Sequence, residues 1–291
     1  MTEIQKKEIQ SLLNIYCGDF DSQSQAAASL KDISEANVIA IRKGKWESVS
    51  DNMFRNVGKQ VGWNELKKVQ VDTLDFETLI LYFGIARENG ATFAITGNAG
   101  YGKTFAGKWY RDAMRGKPVY YMECAQHLNR KYFLVKLIET MGKKPDGKSV
   151  YEMMEFIISE LRKQDQPLII LDEVDKLKDD VLQFFITFYN ELNGLCGIVW
   201  TSTDSIQKRI RHGLRLNKSG YNEIFRRIGR SFIELKGTNA AEVKQLCEAN
   251  GITDPELIHK IRNEYGGDIS RIDREALKKR LKESGKRKLP A

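Results

Sequence analysis

The sequence predicts a doubly wound α/β fold with a parallel sheet, preceded by an all-α segment and closed by a helical C-terminal region. Three observations predict it. The octapeptide Gly97-Asn98-Ala99-Gly100-Tyr101-Gly102-Lys103-Thr104 sits between a short apolar stretch and a helical pattern. An uninterrupted apolar run from Pro167 to Leu171 ends in Asp172 and Glu173. Strand-like and helix-like stretches alternate between these motifs and beyond them, as in a parallel sheet whose crossover helices cover both faces.

At 291 residues the chain is long enough for one large domain or two smaller ones. Charged residues make up 30% and hydrophobic residues 41%, the balance of a soluble globular protein. No apolar run approaches the length that spans a bilayer, and Met1 to Lys7 lacks the apolar core of a secretory signal. No membrane partner is expected. Cys17, Cys124, Cys196 and Cys247 lie far apart, which suits free thiols in a cytoplasmic setting, and His127, His212 and His259 are too scattered for a zinc site. The net charge of +8 is unevenly placed. Residues 1–60 carry eight basic and eight acidic side chains, whereas residues 204–291 carry 21 basic against 12 acidic, ending in Lys286-Arg287-Lys288. A basic C-terminal third points to a polyanionic partner such as nucleic acid.

In the first 57 residues, a helix is expected with Ile9, Leu12, Leu13 and Tyr16 near one face. Ser24 to Lys31 then forms an alanine-rich helix, Asp32-Ile33 a tight turn, and Ser34 caps a second helix from Glu35 to Arg42 that Gly44 stops. Two short helices across a brief turn resemble the helix-turn-helix of phage-repressor-like domains, whose second helix enters the major groove. On that resemblance Glu35, Asn37, Arg42, Lys43 and Lys45 face DNA, while Ala27, Leu30, Val38 and Ile41 pack the pair, completed by Trp46, Val49 and Phe54. A protein-binding helical adaptor with the same packing is the alternative. Residues 58–75 read as a linker, and Phe76 to Arg87 as a helix.

The octapeptide lies within the core, expected over 76–236. It matches G-x-x-x-x-G-K-[ST], with a strand at 91–96 before it and a helix from Lys103 to Met114 after it. Glycines let Gly97, Asn98, Ala99, Gly100, Tyr101 and Gly102 turn tightly, so that backbone N–H groups point at the phosphates of a nucleotide. Lys103 supplies a charge to the β/γ-phosphates, and the Thr104 hydroxyl is a ligand for Mg²⁺. A strand at 118–123 and helices at 130–141 and 150–162 follow. Asp172, ending the next strand, is the second Mg²⁺ residue, and Glu173 is placed to orient and deprotonate an attacking water. After a helix at 181–192 and a strand at 197–201, Ser202-Thr203 ends in hydroxyls suited to sensing a γ-phosphate, Thr203 first and Ser202 second. The last strand is expected at 231–235, and three helices at 240–249, 255–265 and 269–281.

Paired acids, a polar strand end, arginines before the last strand and a helical C-terminus resemble the AAA+ ATPases. The resemblance implies ATP and Mg²⁺ as cofactors and a lid over residues 237–291. It also implies a nucleotide-sensing arginine at Arg271, in Gly266-Gly267-Asp268-Ile269-Ser270-Arg271, and an arginine donated to the neighbouring subunit's nucleotide. Arg226, Arg227 and Arg230 occupy that place. With the N-terminal helix-turn-helix and the basic lid, the chain resembles the Mu B group of phage transposition ATPases. That implies non-sequence-specific binding of double-stranded DNA, self-assembly into an ATP-dependent oligomer or helical filament, and delivery of target DNA to a transposase in a bacterial or phage-infected cell. Lys208, Arg209, Arg211 and Arg215 are the candidate phosphate contacts. A helicase-loader-like ATPase acting on single strands is the alternative reading.

Overall fold

The computed structural model describes residue 1 and residues 3–18, 20, 22–63, 71–265 and 268–283. It divides into two compact units, Met1–Val69 and Gln70–Ala291.

In the first unit, serines that accept a backbone N–H at the next helix's open end fix the local structure. After α1 (Glu3–Gly18), Ser22 caps α2 (Gln23–Ser29), Ser34 caps α3 (Glu35–Arg42) and Ser50 caps α4 (Asp51–Gln60). Asp32 takes a left-handed turn (φ 58°) between α2 and α3. Ile9 and Leu13 of α1 meet Ala26, Leu30, Val38, Ile41, Phe54 and Val57 in one core. The expected linker is partly structure. Gly58 lies inside α4, where an added Cβ would sit 2.8 Å from the Trp63 ring, and Trp63 is itself buried in this core. Residues 64–70 lie outside the described residues.

The second unit starts with α5 (Leu74–Asn89), capped by Thr73 and stopped by Gly90. It continues through β1 (Thr92–Thr96), α6 (Lys103–Ala113), β2 (Val119–Glu123), α7 (Arg130–Thr140), α8 (Val150–Arg162) and β3 (Leu168–Asp172). Next come α9 (Asp179–Leu182), α10 (Phe184–Leu192), β4 (Gly197–Ser202), α11 (Asp204–Arg215), α12 (Tyr221–Arg227) and β5 (Ile233–Glu234). The C-terminal helices are α13 (Ala240–Ala249), α14 (Pro255–Tyr265) and α15 (Ile269–Glu283). The helix expected at 181–192 is two pieces joined at Gln183, and β5 is two residues long instead of five. The basic stretch after β4 is two helices, α11 and α12.

All strand pairs are parallel, in the order β2-β3-β4-β1-β5. The two faces follow the period of two along each strand. Leu168 and Ile170 of β3 pack with Phe76, Leu79 and Phe83 of α5 and Ala106 and Tyr110 of α6. Ile169 and Leu171 turn the other way, onto Phe133 and Leu137 of α7, Ile157 of α8 and Phe185 of α10. Burial on both faces explains the unbroken apolar run, each such side chain contributing about 1.5–3 kcal/mol. The same parity sends Asp172 to the α6 side. The last three helices enclose their own cluster of Val243, Leu246, Cys247, Ile252, Ile261, Ile272 and Ala276.

Candidate nucleotide site and basic surfaces

The glycine-rich loop leaves the C-terminal end of β1 and enters α6 through Gly102, with Gly100 (φ +87°) and Gly102 (φ +82°) in backbone conformations open to glycine. Lys103 is buried, and its Nζ donates to the carbonyl oxygens of Gly97 at 2.6 Å and Asn98 at 2.8 Å. Burial holds its pKa below the usual lysine value, against the opposing charges of Asp172, Asp175, Asp204 and Glu173. A cationic side chain beside a helix N-terminus is an arrangement suited to binding an anion.

Asp172 is fully buried and gathers the site around it. Its Oδ2 accepts from Thr104 Oγ1 at 2.6 Å and Tyr121 Oη at 2.7 Å. Its Oδ1 accepts from Thr201 Oγ1 at 2.6 Å and the Glu173 N–H at 3.0 Å. Four donors make the burial of this carboxylate tolerable. Tyr121 and Thr201 are absent from the residues a reading of the sequence selects. Thr201 sits opposite Asp172 in the β3–β4 register, and Tyr121 lies on the adjacent strand β2, facing the same side. Burial first, and then the Asp172 charge, push the Tyr121 phenol well above its usual pKa.

Glu173 follows in a left-handed conformation (φ 57°), half-buried, and is ion-paired with Lys176. Its neighbour Asp175 accepts hydrogen bonds from Ser202 Oγ at 2.7 Å, Thr203 Oγ1 at 2.9 Å and Ser205 Oγ at 2.7 Å. Burial works against the Asp175 charge, yet these hydroxyls hold its carboxyl below the usual range. The Thr203 hydroxyl, expected to sense a γ-phosphate, caps α11 and donates to Asp175. Both hydroxyls at the end of β4 are thus occupied within the chain.

The three candidate arginines separate. Arg227 lies inward, bonded to Asn190 at 2.7 Å and to Glu223 at 3.0 Å, over the Tyr189 ring, with a side chain 8% exposed. Arg226 and Arg230 are exposed. Arg271 lies in the first turn of α15, an element that meets the glycine-rich loop where the Ile269 N–H donates to the Gly100 carbonyl at 3.1 Å. Gly266 and Gly267 lie outside the described residues.

Of the candidate phosphate contacts on α11, Lys208, Arg211 and Arg215 are exposed and share a face at helical spacing. Arg209 does not join them. It is ion-paired with Asp179, donates to the Leu177 carbonyl at 2.6 Å, and lies 3.2 Å from Tyr221 Oη, so it ties α11 to α9 and α12. In the first unit Lys43 and Lys45 are exposed and Asn37 is half-buried. Arg42 is engaged within the unit, donating to Asn14 at 2.9 Å and Gln23 at 2.6 Å. The tail Lys286-Arg287-Lys288 lies outside the described residues. Among the described residues no helix is long and apolar enough to cross a membrane.

A family profile described as an AAA domain matches residues 86–210, from the end of α5 into α11. Among solved structures, NtrX from Brucella abortus in complex with ADP is similar over 84% of this chain and 58% of that chain, with 13% identity and a TM-score of 0.50. The structure of Drosophila ORC bound to DNA is similar over 68% of this chain and 52% of that chain, with 12% identity and a TM-score of 0.46. The chain therefore spans between about half and three fifths of the length of those chains. No curated protein matches it. The profile and the NtrX likeness give the fold: a parallel five-stranded sheet with flanking helices, of the AAA+ P-loop type.

Proposed function

We propose that this chain is an ATPase that binds duplex DNA with little regard to sequence when it holds ATP, assembles on that DNA as an oligomer or filament, and delivers it to a transposase. The observation that carries the nucleotide half is the hydrogen bond from Thr104 to the fully buried Asp172, directly below the loop that holds Lys103. The DNA half is supported by the exposed row of Lys208, Arg211 and Arg215 and by the resemblance of the N-terminal helices to a helix-turn-helix.

In this reading the loop N–H groups and Lys103 grip the phosphates, and Lys103 exchanges its two carbonyl partners for phosphate oxygens. Thr104 and Asp172 have the hydroxyl and carboxylate donors suited to Mg²⁺, which when bound neutralises charge on the phosphate oxygens. Tyr121 and Thr201 fix the Asp172 carboxylate for that task. Glu173 takes the proton of the attacking water once it leaves Lys176. Arg226, exposed at the end of α12, is the residue offered to a neighbour's nucleotide, which makes hydrolysis depend on assembly.

The test is electron microscopy and ATP turnover with duplex and with single-stranded DNA. The reading expects ATP-dependent coating of duplex and duplex-stimulated turnover, with Glu173→Gln coating DNA persistently. Preference for single strands, or coating indifferent to ATP, would overturn it, the former in favour of a helicase loader.

A further inference from the structure

Two buried carboxylates outside the phosphate site hold one junction of the second unit together. Asp75, in the first turn of α5 and 5% exposed, accepts the Lys236 N–H at 2.9 Å on one oxygen and the Gly237 N–H at 2.7 Å on the other. Glu242, in the first turn of α13 and 8% exposed, accepts the Leu74 N–H at 2.7 Å and the Asn239 N–H at 2.7 Å, again one on each oxygen. Asp75 of α5 thus holds the segment just ahead of α13, and Glu242 of α13 holds the start of α5. Burying a carboxylate is strongly unfavourable unless its oxygens are paired, and here four backbone donors pair them.

The clamped segment is the hinge between β5 and α13. It also borders the glycine-rich loop. A Cβ added to Gly97 would lie 2.9 Å from Leu235 Cβ, and one added to Gly237 would lie 2.7 Å from Tyr101 Cζ. From the three-helix body beyond the hinge, Asp268 stands against Gly100 and the Ile269 N–H reaches the Gly100 carbonyl at 3.1 Å. The loop is therefore flanked by the hinge on one side and the start of α15 on the other. Val71, just ahead of α5, packs on the core of the three-helix body.

We infer that Asp75 and Glu242 are positioning residues for the nucleotide. They fix the angle at which the three-helix body meets the sheet, and through Gly237 on Tyr101 and Asp268 on Gly100 they set how closely the loop's two flanks hold a nucleoside phosphate. The inference rests on the nucleotide reading above.

The experiment uses the full chain with Asp75→Asn and Glu242→Gln, each of which keeps side-chain shape and turns one accepting oxygen into a donor facing a donor. A fluorescent ADP analogue gives the Kd, steady-state turnover gives KM and kcat, and thermal melting without nucleotide reports the fold. Expected is a rise in Kd and KM of about fivefold or more, with kcat at saturation within about twofold of the parent. A folded variant with a smaller change in Kd, or one that loses kcat at unchanged KM, overturns the inference. If Asp75→Asn does not fold, Glu242→Gln decides alone. If neither folds, Gly237→Ala is read by the same criterion, because its methyl group moves the hinge from Tyr101 with both carboxylates in place. Lys103→Ala separates the two levels. If it binds the analogue as the parent does, the nucleotide reading falls; if it loses binding while the clamp variants keep it, the clamp alone falls.

Discussion

Thr201 donates a 2.6 Å hydrogen bond to Asp172 across the β3–β4 register, and both side chains are buried. Removing the hydroxyl while keeping the shape, as in Thr201→Val, leaves one oxygen of a buried carboxylate short of a donor. The expected loss is about 1–3 kcal/mol. In a body of this size that lowers Tm by about 2–4 °C per kcal/mol. Calorimetry checks the stability, and the KM for ATP should rise in parallel as Asp172 loses its fixed orientation.

Glu173 is ion-paired with Lys176 on a partly exposed surface. Such pairs contribute about 0.2–1 kcal/mol. Lys176→Ala should therefore raise turnover in the absence of DNA by no more than about fivefold, the factor that energy corresponds to. Unchanged or reduced basal turnover would show that the pair does not restrain the base.

Arg226 and Arg227 should part company on substitution. Arg226→Ala is expected to melt like the parent and to lose DNA-stimulated turnover by about a thousandfold or more, the range of an arginine supplied to a transferring phosphate. Arg227→Ala removes a side chain bonded to Asn190 and Glu223, and should lower Tm with a smaller effect on turnover. Mixing Arg226→Ala with Glu173→Gln checks action between subunits: partial recovery of turnover is the expected result.

Lys208, Arg211 and Arg215 lie on one exposed face of α11, with Arg209 turned inward to Asp179. Alanine at each of the three should weaken duplex binding uniformly across sequences. Each should also reduce the slope of log affinity against log salt by about 0.9. Arg209→Ala should instead destabilise the fold, because it removes the ion pair to Asp179 and the donor to the Leu177 carbonyl. Filter binding over a salt series, with melting curves alongside, distinguishes the two behaviours.

The contrast among these residues explains what could be read from the chain. Lys103, Thr104, Asp172 and Glu173 stand in contiguous strings whose chemistry is local, so a sequence displays them. The β3 run displays its double burial in the same way. Tyr121 and Thr201 join the site only through strand register, which no single segment encodes. The α11 helix hides behind its charges: its buried positions Ile206, Gln207, Ile210 and Gly213 are interleaved with Lys208, Arg209, Arg211 and Arg215, and Gly213 is small because the Tyr221 ring lies over it. Asp75 and Glu242 act on backbone groups more than 150 positions away in sequence. The helix α4 runs three residues past the boundary at residue 57 because Gly58 allows Ile9 and Trp63 to close on it.

In the proposed function a triphosphate held by Lys103, and cleaved with the help of Glu173, governs how the chain holds DNA. Co-sedimentation of parent, Lys103→Ala and Glu173→Gln chains with duplex DNA, with and without ATP, measures it most directly. Expected are ATP-dependent pelleting for the parent, none for Lys103→Ala, and pelleting that persists for Glu173→Gln as the parent exhausts its ATP and releases. Equal pelleting of all three, with or without ATP, would contradict it.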